Sequence, residues 1–175
     1  DPRIGLAGSS YLQVVHGCLT GRPPLPDLDL ERSVQAFLRQ AIAAGLVASA
    51  HDLSDGGLAV AAVEASLAGG LGAHLELPAG LARPDRLLFA EGGARILVSV
   101  APERSIAWQE ALDQAEAAAP GSVPARCLGV VSAAPELSIS QAGTPLLQLP
   151  LVLLRERYEQ AIPRRLREAG PPPEH

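Results

Sequence analysis

The octet His51-Asp-Leu-Ser-Asp-Gly-Gly-Leu58 gathers the residue types best placed for chemistry in this chain. Ser54 or Asp55 is suited to cap a following helix, because either side chain accepts from the free N–H groups of a first helical turn. Gly56 and Gly57 let another backbone or a ligand come close. A helix N-terminus that opens from a glycine turn attracts anions, phosphate above all. Asp52 and Asp55 would repel a bare phosphate, so a nucleotide fits here only with a divalent cation between carboxylate and phosphate oxygens. Asp52 is therefore a candidate Mg²⁺ ligand. The plainer alternative is that Asp55 caps the helix, Asp52 ends a strand and the glycines only tighten the turn.

Two elements must position the octet. Residues 45–50, Gly-Leu-Val-Ala-Ser-Ala, are short, apolar and bounded by glycine, which predicts a buried strand. After the octet, Leu58, Ala62, Val63 and Ala65 recur at three- and four-residue spacings up to Gly69-Gly70, which predicts a helix of about three turns. The octet is a strand-to-helix turn.

The wider composition narrows the classes of function. A chain of 175 residues suits one domain with a sizeable core. Its formal charge of −5 offers no basic footprint for nucleic acid, and no apolar run approaches the ~20 residues of a membrane span. A soluble, cytoplasmic protein is expected. All 14 Lys-plus-Arg positions are arginine, and lysine, methionine and asparagine are absent. No Walker lysine, Schiff-base lysine or asparagine metal ligand can therefore come from this chain. A start at Asp1 fits a fragment or a trimmed chain better than a complete gene product. Cys18 and Cys127 lack the close spacing of a zinc ribbon or redox pair, and each is expected as a small buried hydrophobe with a reduced thiol. His16, His51, His74 and His175 never recur at the i, i+4 spacing of helical metal ligands, and no Gly-x-Ser-x-Gly elbow occurs.

In chain order, residues 9–15 predict a short helix capped by Ser9 or Ser10 and closed at Gly17, before Pro23-Pro24-Leu-Pro26 breaks the chain. Leu30, Val34, Phe37, Leu38 and Ala41 form the apolar stripe of a long helix, with Asp27 and Asp29 at its positive end and Gly45 at its stop. Residues 73–77 alternate as a half-buried strand does, which places His74 on the surface. Residues 84–89 read as a brief helix and residues 95–100 as a strand, with Glu91 and Arg95 between them as a candidate ion pair. Pro102 opens a helix whose face carries Ile106, Trp108, Leu112 and Ala115. Three short strands follow, around residues 125–131, 137–140 and 145–149, and then a helix over residues 150–161. Past Pro163 the apolar period is lost, and a disordered tail is expected. This order predicts an α/β domain, a mixed sheet covered by helices.

The octet, continued by Ala-Val-Ala, resembles a motif in the second half of phosphoribosylformylglycinamidine synthase, a family of ATP-dependent amidotransferases. Gly5-Leu-Ala-Gly-Ser-Ser-Tyr-Leu, Val15-His-Gly, Gly21-Arg-Pro-Pro and Asp29-Leu-Glu-Arg are similar to that family's lead-in to its last domain. Leu87-Leu-Phe-Ala-Glu and Ala94-Arg-Ile-Leu-Val-Ser-Val resemble the helix and strand that follow. The likeness runs in order from about Gly5 to about Pro163. One departure stands out: the family's Glu-Ser-Gln-x-Arg connection, which touches substrate in the first half, has Gly92-Gly93 in place of its polar pair.

The resemblance implies the C-terminal domain of the aminoimidazole ribonucleotide synthetase superfamily, three α/β/α layers around a mixed, mostly antiparallel sheet. It divides the chain into a lead-in and Pro-rich linker at 1–26, the domain at 27–163 and the tail at 164–175. It implies an incomplete protein whose partners are the missing upstream domains, a glutaminase subunit and a small accessory subunit. In the family's reaction, ATP phosphorylates the amide oxygen of formylglycinamide ribonucleotide, and ammonia from glutamine then displaces phosphate. By likeness, Asp52 helps to hold Mg²⁺ and Ser54 meets an auxiliary ATP or ADP, while Asp55, Gly56 and Gly57 shape that nucleotide turn. No catalytic residue is carried over. Alternatives are a same-fold paralogue, such as selenophosphate synthetase, thiamine-monophosphate kinase or a hydrogenase maturation factor, and a non-catalytic assembly module.

Overall fold

The computed structural model describes residues 4–79 and 83–168. Ser9 caps α1 (Ser10–His16), its hydroxyl accepting from Leu12 N, and Gly17 closes the helix in the left-handed conformation. Ser9 is fully buried and also donates to the Leu6 carbonyl, so its burial leaves no polar group unmet. Asp27 caps α2 (Leu28–Ala43) by accepting from Leu30 N.

The strand expected over residues 45–50 forms later, as β1 (Ser49–Asp52), and is largely exposed. Leu46 N instead bonds Ala41 O and finishes the turn that ends α2, so Leu46 and Val47 are spent on the connection before pairing begins. β1 pairs antiparallel with β3 (Ile96–Ser99), matching His51 with Leu97 and Asp52 with Ile96. Between them lie α3 (Gly57–Gly69), β2 (Gly72–Leu77) and α4 (Pro84–Phe89). α3 is apolar nearly all round and buries Leu58, Ala59, Ala61, Ala62 and Leu67, as a helix at the centre of a domain must.

After β3 come a 3₁₀ turn (Pro102–Arg104) and α5 (Ser105–Ala118). Trp108 packs edge-on against Phe37 of α2, with ring centroids 5.5 Å apart. Ile106, expected on the same face, is 76% exposed because only part of the predicted stripe reaches α2. The chain then forms β4 (Gly129–Ser132), β5 (Glu136–Gln141) and β6 (Thr144–Pro150). These join β2 in a four-stranded sheet ordered β4-β2-β5-β6, in which only the β2–β5 pair is parallel. The mixed, mostly antiparallel arrangement is present, divided between this sheet and the β1–β3 pair.

The core lies where α3, α4 and α6 (Leu151–Glu168) meet the larger sheet. It is built from Leu58, Ala62, Leu75, Leu77, Leu88, Leu137, Ile139 and Leu151. The opposite face of that sheet carries His74, with Ser138 beside it, and Glu76, with Ser140 beside it, so the alternation along β2 sorts apolar from polar as predicted.

Two further expectations are corrected. α6 continues through Pro163 to Glu168, where disorder was expected beyond that proline. The Arg164–Glu156 ion pair, 2.7 Å, spans Pro163 on the helix surface; residues 169–175 lie outside the described residues. Cys127 is exposed, because it precedes the edge strand β4, and Cys18 is half-buried; both thiols are free. No described helix is long and apolar enough to cross a membrane.

Candidate functional site

The octet spans the end of β1 and the start of α3, as its residue types require. Neither Ser54 nor Asp55 caps the helix: the N-cap is Gly56, at φ 77°, with no side-chain hydrogen bond of its own. The acceptor comes from elsewhere in the chain. Glu91 Oε1 accepts from Gly56 N at 2.9 Å, and Gly57 N donates to the Ser54 carbonyl at 3.0 Å. These two amides are committed internally, so an anion at the turn does not meet them as free donors.

Gly57, at φ 63°, is buried against the end of α4, where a Cβ would lie 2.6 Å from the Ala90 carbonyl oxygen. A Cβ on Gly56 would run into Val60. The close approach that the two glycines permit is therefore to the protein's own backbone and side chains.

Asp52 and Ser54 are joined directly, the Ser54 hydroxyl donating to Asp52 Oδ2. That hydrogen bond is the main reason the Asp52 carboxyl lies below the usual aspartate range; a backbone hydrogen bond and His51 add to the effect, and desolvation opposes it. The Asp52 side chain remains 73% exposed. His51 Nδ1 lies 2.7 Å from the Asp52 carbonyl oxygen, to which only the ring can donate, and Nε2 lies 3.3 Å from Glu64 Oε2. Asp55 is exposed beside Ser54.

Asp52, Ser54 and Asp55 line one groove of about 410 Å³, faced by residues 91–96 and by Glu31 and Gln35 of α2. Gly56 and Gly57 are not among its lining residues. The proposed ion pair between Glu91 and Arg95 is not formed. The Glu91 carboxylate is taken by Gly56 N and Ser10 N, each at 2.9 Å, while Arg95 Nη2 donates to the Ala90 carbonyl. Burial pushes the Arg95 guanidinium below its usual value, the nearby Glu91 charge opposes this, and Arg95 Nε is buried without a hydrogen-bond partner.

Glu31 Oε1 accepts from Ala94 N at 2.5 Å, clamping the opposite wall where Ala94 is held at φ 55°. A Cβ on Gly93 would strike that same Glu31 oxygen, which gives the glycine pair a packing reason. Of the four lining carboxylates, Glu31 and Glu91 are thus bound to backbone amides, and Asp52 and Asp55 face the open groove. Sequence reading missed Glu31 and Gln35 and misassigned Glu91; Glu31 and Glu91 bond backbone amides far away in sequence, and local spacing carries no signal of that.

Among the described residues, no group of three or more His, Cys, Asp or Glu side chains is placed to hold a metal ion. What the turn offers is hard oxygen donors from Asp52 and Asp55. This set fits Mg²⁺ only where water and phosphate oxygens supply most of the ligands, which is how Mg²⁺ is usually held beside a nucleotide.

The α/β fold is that of a domain of a known class. The family described as AIR synthase related protein, C-terminal domain, matches residues 2–139, and the chain belongs to it. Phosphoribosylformylglycinamidine synthase subunit PurL of Prochlorococcus marinus (strain MIT 9303) is 64% identical over 166 residues, covering 95% of this chain and 21% of that protein. The corresponding subunit of Synechococcus sp. (strain WH7803) is 54% identical over 167 residues, with the same coverage. The chain thus spans about a fifth of the length of these relatives. Among solved structures, phosphoribosylformylglycinamidine synthase II of Thermotoga maritima superposes with a TM-score of 0.64 at 20% identity, covering 86% of this chain and 25% of that one. The T. maritima PurL complexed with ATP gives 0.63 at 21% identity over 86% and 24%. At these identities the likeness shows the shared fold.

Proposed function

We propose that the chain serves as the C-terminal domain of the synthetase subunit of phosphoribosylformylglycinamidine synthase, and that its groove is an auxiliary Mg·ATP or Mg·ADP site. The observation that carries this reading is 64% identity to a PurL subunit across 95% of the chain. The whole enzyme would convert formylglycinamide ribonucleotide to the amidine, with ATP activating the amide oxygen as a phosphate leaving group and ammonia displacing it. Its partners would be the upstream domains, a glutaminase subunit and a small accessory subunit, in the cytoplasm. The domain proper would run over residues 27–163, with residues 1–26 leading in.

At the groove, Asp52 and Asp55 would present oxygen ligands to Mg²⁺, which neutralises phosphate charge when bound. The Ser54 hydroxyl donates to the Asp52 carboxylate and favours its ionised form. Gly57 lets α3 sit tightly on residues 88–90, fixing where the turn faces residues 91–96, and Gly56 leaves room for Val60. Charge balance argues for the metal, since two open carboxylates without a cation would repel a polyphosphate. The chain supplies a binding and supporting surface and no catalytic group.

The test is a chimera in which this chain replaces the matching segment of a PurL relative, assayed for ATP-dependent amidine formation with its glutaminase. Turnover close to the parent's is expected. A chimera that folds and assembles but makes no product would overturn the assignment.

A further inference from the structure

We propose that Glu91 is a positioning residue for the groove, locking the turn at residues 52–56 to the lead-in segment without touching a ligand. Its consequence for affinity rests on the nucleotide reading above; its geometry does not. One carboxylate oxygen, Glu91 Oε1, accepts from Gly56 N at the start of α3 and from Ser10 N at the start of α1, each at 2.9 Å. Both donors belong to first helical turns, which have no acceptor of their own, and an ionised acceptor makes each bond stronger than a neutral one.

The Glu91 backbone is fixed as well, pairing with Gly5 in both directions at 3.0 and 2.9 Å. Tyr11 of α1 stacks on Phe89, two residues before Glu91, with ring centroids 4.7 Å apart and planes 9° from parallel. The starts of α1 and α3 therefore meet at the Glu91 side chain, whose backbone and neighbour Phe89 are held by Gly5 and Tyr11. Any shift of the lead-in moves the acceptor on which Gly56 depends, and with it the Asp52 and Ser54 side chains a few residues earlier. The acceptor that closes the turn is thus held by residues 5–11.

The test uses the full chain with two measurements, hydrogen exchange at the Gly56 amide and affinity for Mg·ADP. Glu91→Gln keeps a carbonyl oxygen in place and is expected to leave both within about threefold of wild type. Glu91→Ala removes the acceptor and is expected to speed Gly56 exchange at least about tenfold and to weaken Mg·ADP at least about fivefold. Ser10→Pro guards against a Glu91→Ala chain that fails to fold. It deletes one donor at a first helical position that proline tolerates, after a Ser9 already extended at φ −80°, ψ 156°. Faster Gly56 exchange with α1 intact is the expected result. Unchanged Gly56 exchange in the folded Glu91→Ala chain, or in Ser10→Pro, would overturn the proposal. So would a Glu91→Gln chain as impaired as Glu91→Ala. Asp52→Ala keeps the two readings apart: if it binds Mg·ADP as tightly as wild type does, the nucleotide reading fails while Gly56 exchange still decides the role of Glu91.

Discussion

Gly57 sits on the Ala90 carbonyl with no room for a side chain, since a Cβ there would lie 2.6 Å from the oxygen. This contact ties the start of α3 to the end of α4. Gly57→Ala adds a backbone clash to a left-handed conformation at φ 63°, and is expected to cost about 2–4 kcal/mol. Urea unfolding of the two chains measures it.

Ser54→Ala probes the hydrogen bond that depresses the Asp52 carboxyl. The folded-state value lies below the unfolded one, so the stabilisation is complete above the unfolded value of about 3.9 and is lost as pH falls through the folded value. The stability difference between wild type and Ser54→Ala should be constant from pH 7 to about pH 5 and shrink below about pH 4. It should be small throughout, because Asp52 is mostly exposed. Denaturant midpoints across that range measure it.

The sheet core and the α5 surface should respond very differently. Leu137 is fully buried, so Leu137→Ala is expected to destabilise by about 2–5 kcal/mol. Ile106, at 76% exposed, should tolerate alanine within about 0.5 kcal/mol. Thermal and urea unfolding of the pair checks both.

Glu31 and Gly93 should be coupled. Glu31→Ala strips the acceptor from Ala94 N and is expected to cost about 1–3 kcal/mol. Gly93→Ala must displace the same carboxylate, so its cost should largely vanish when Glu31 is already alanine. A double-mutant cycle reads the coupling, and additive effects would count against the clamp.

Much of this architecture was legible because glycine, proline and alternation act locally. Ser9 and Gly17 bound α1, Gly70 closes α3, Pro84 opens α4, and Leu75 and Leu77 alternate with His74 and Glu76. What escaped depends on distant partners. Ser54 and Asp55 look like caps on local chemistry, yet the acceptor for Gly56 is Glu91, and no spacing rule connects the two. Glu91 and Arg95 have the spacing of an ion pair, but two backbone amides compete successfully for the carboxylate. β1 begins late because α2 uses Leu46 to finish its own turn, and α6 runs on past Pro163, a continuation that local proline rules argue against. Asp52, Ser54 and Asp55, singled out by residue type, line one groove, while the Glu31 and Glu91 clamps emerge only on folding.

The central claim is that the open carboxylates of this groove hold a metal nucleotide. The direct measurement is calorimetric titration of Mg·ADP into the chimeric synthetase, with Asp52 intact and as Asp52→Ala. The account predicts binding that weakens at least about tenfold on losing Asp52, a difference of about 1.4 kcal/mol. Equal affinity in the two proteins would contradict it.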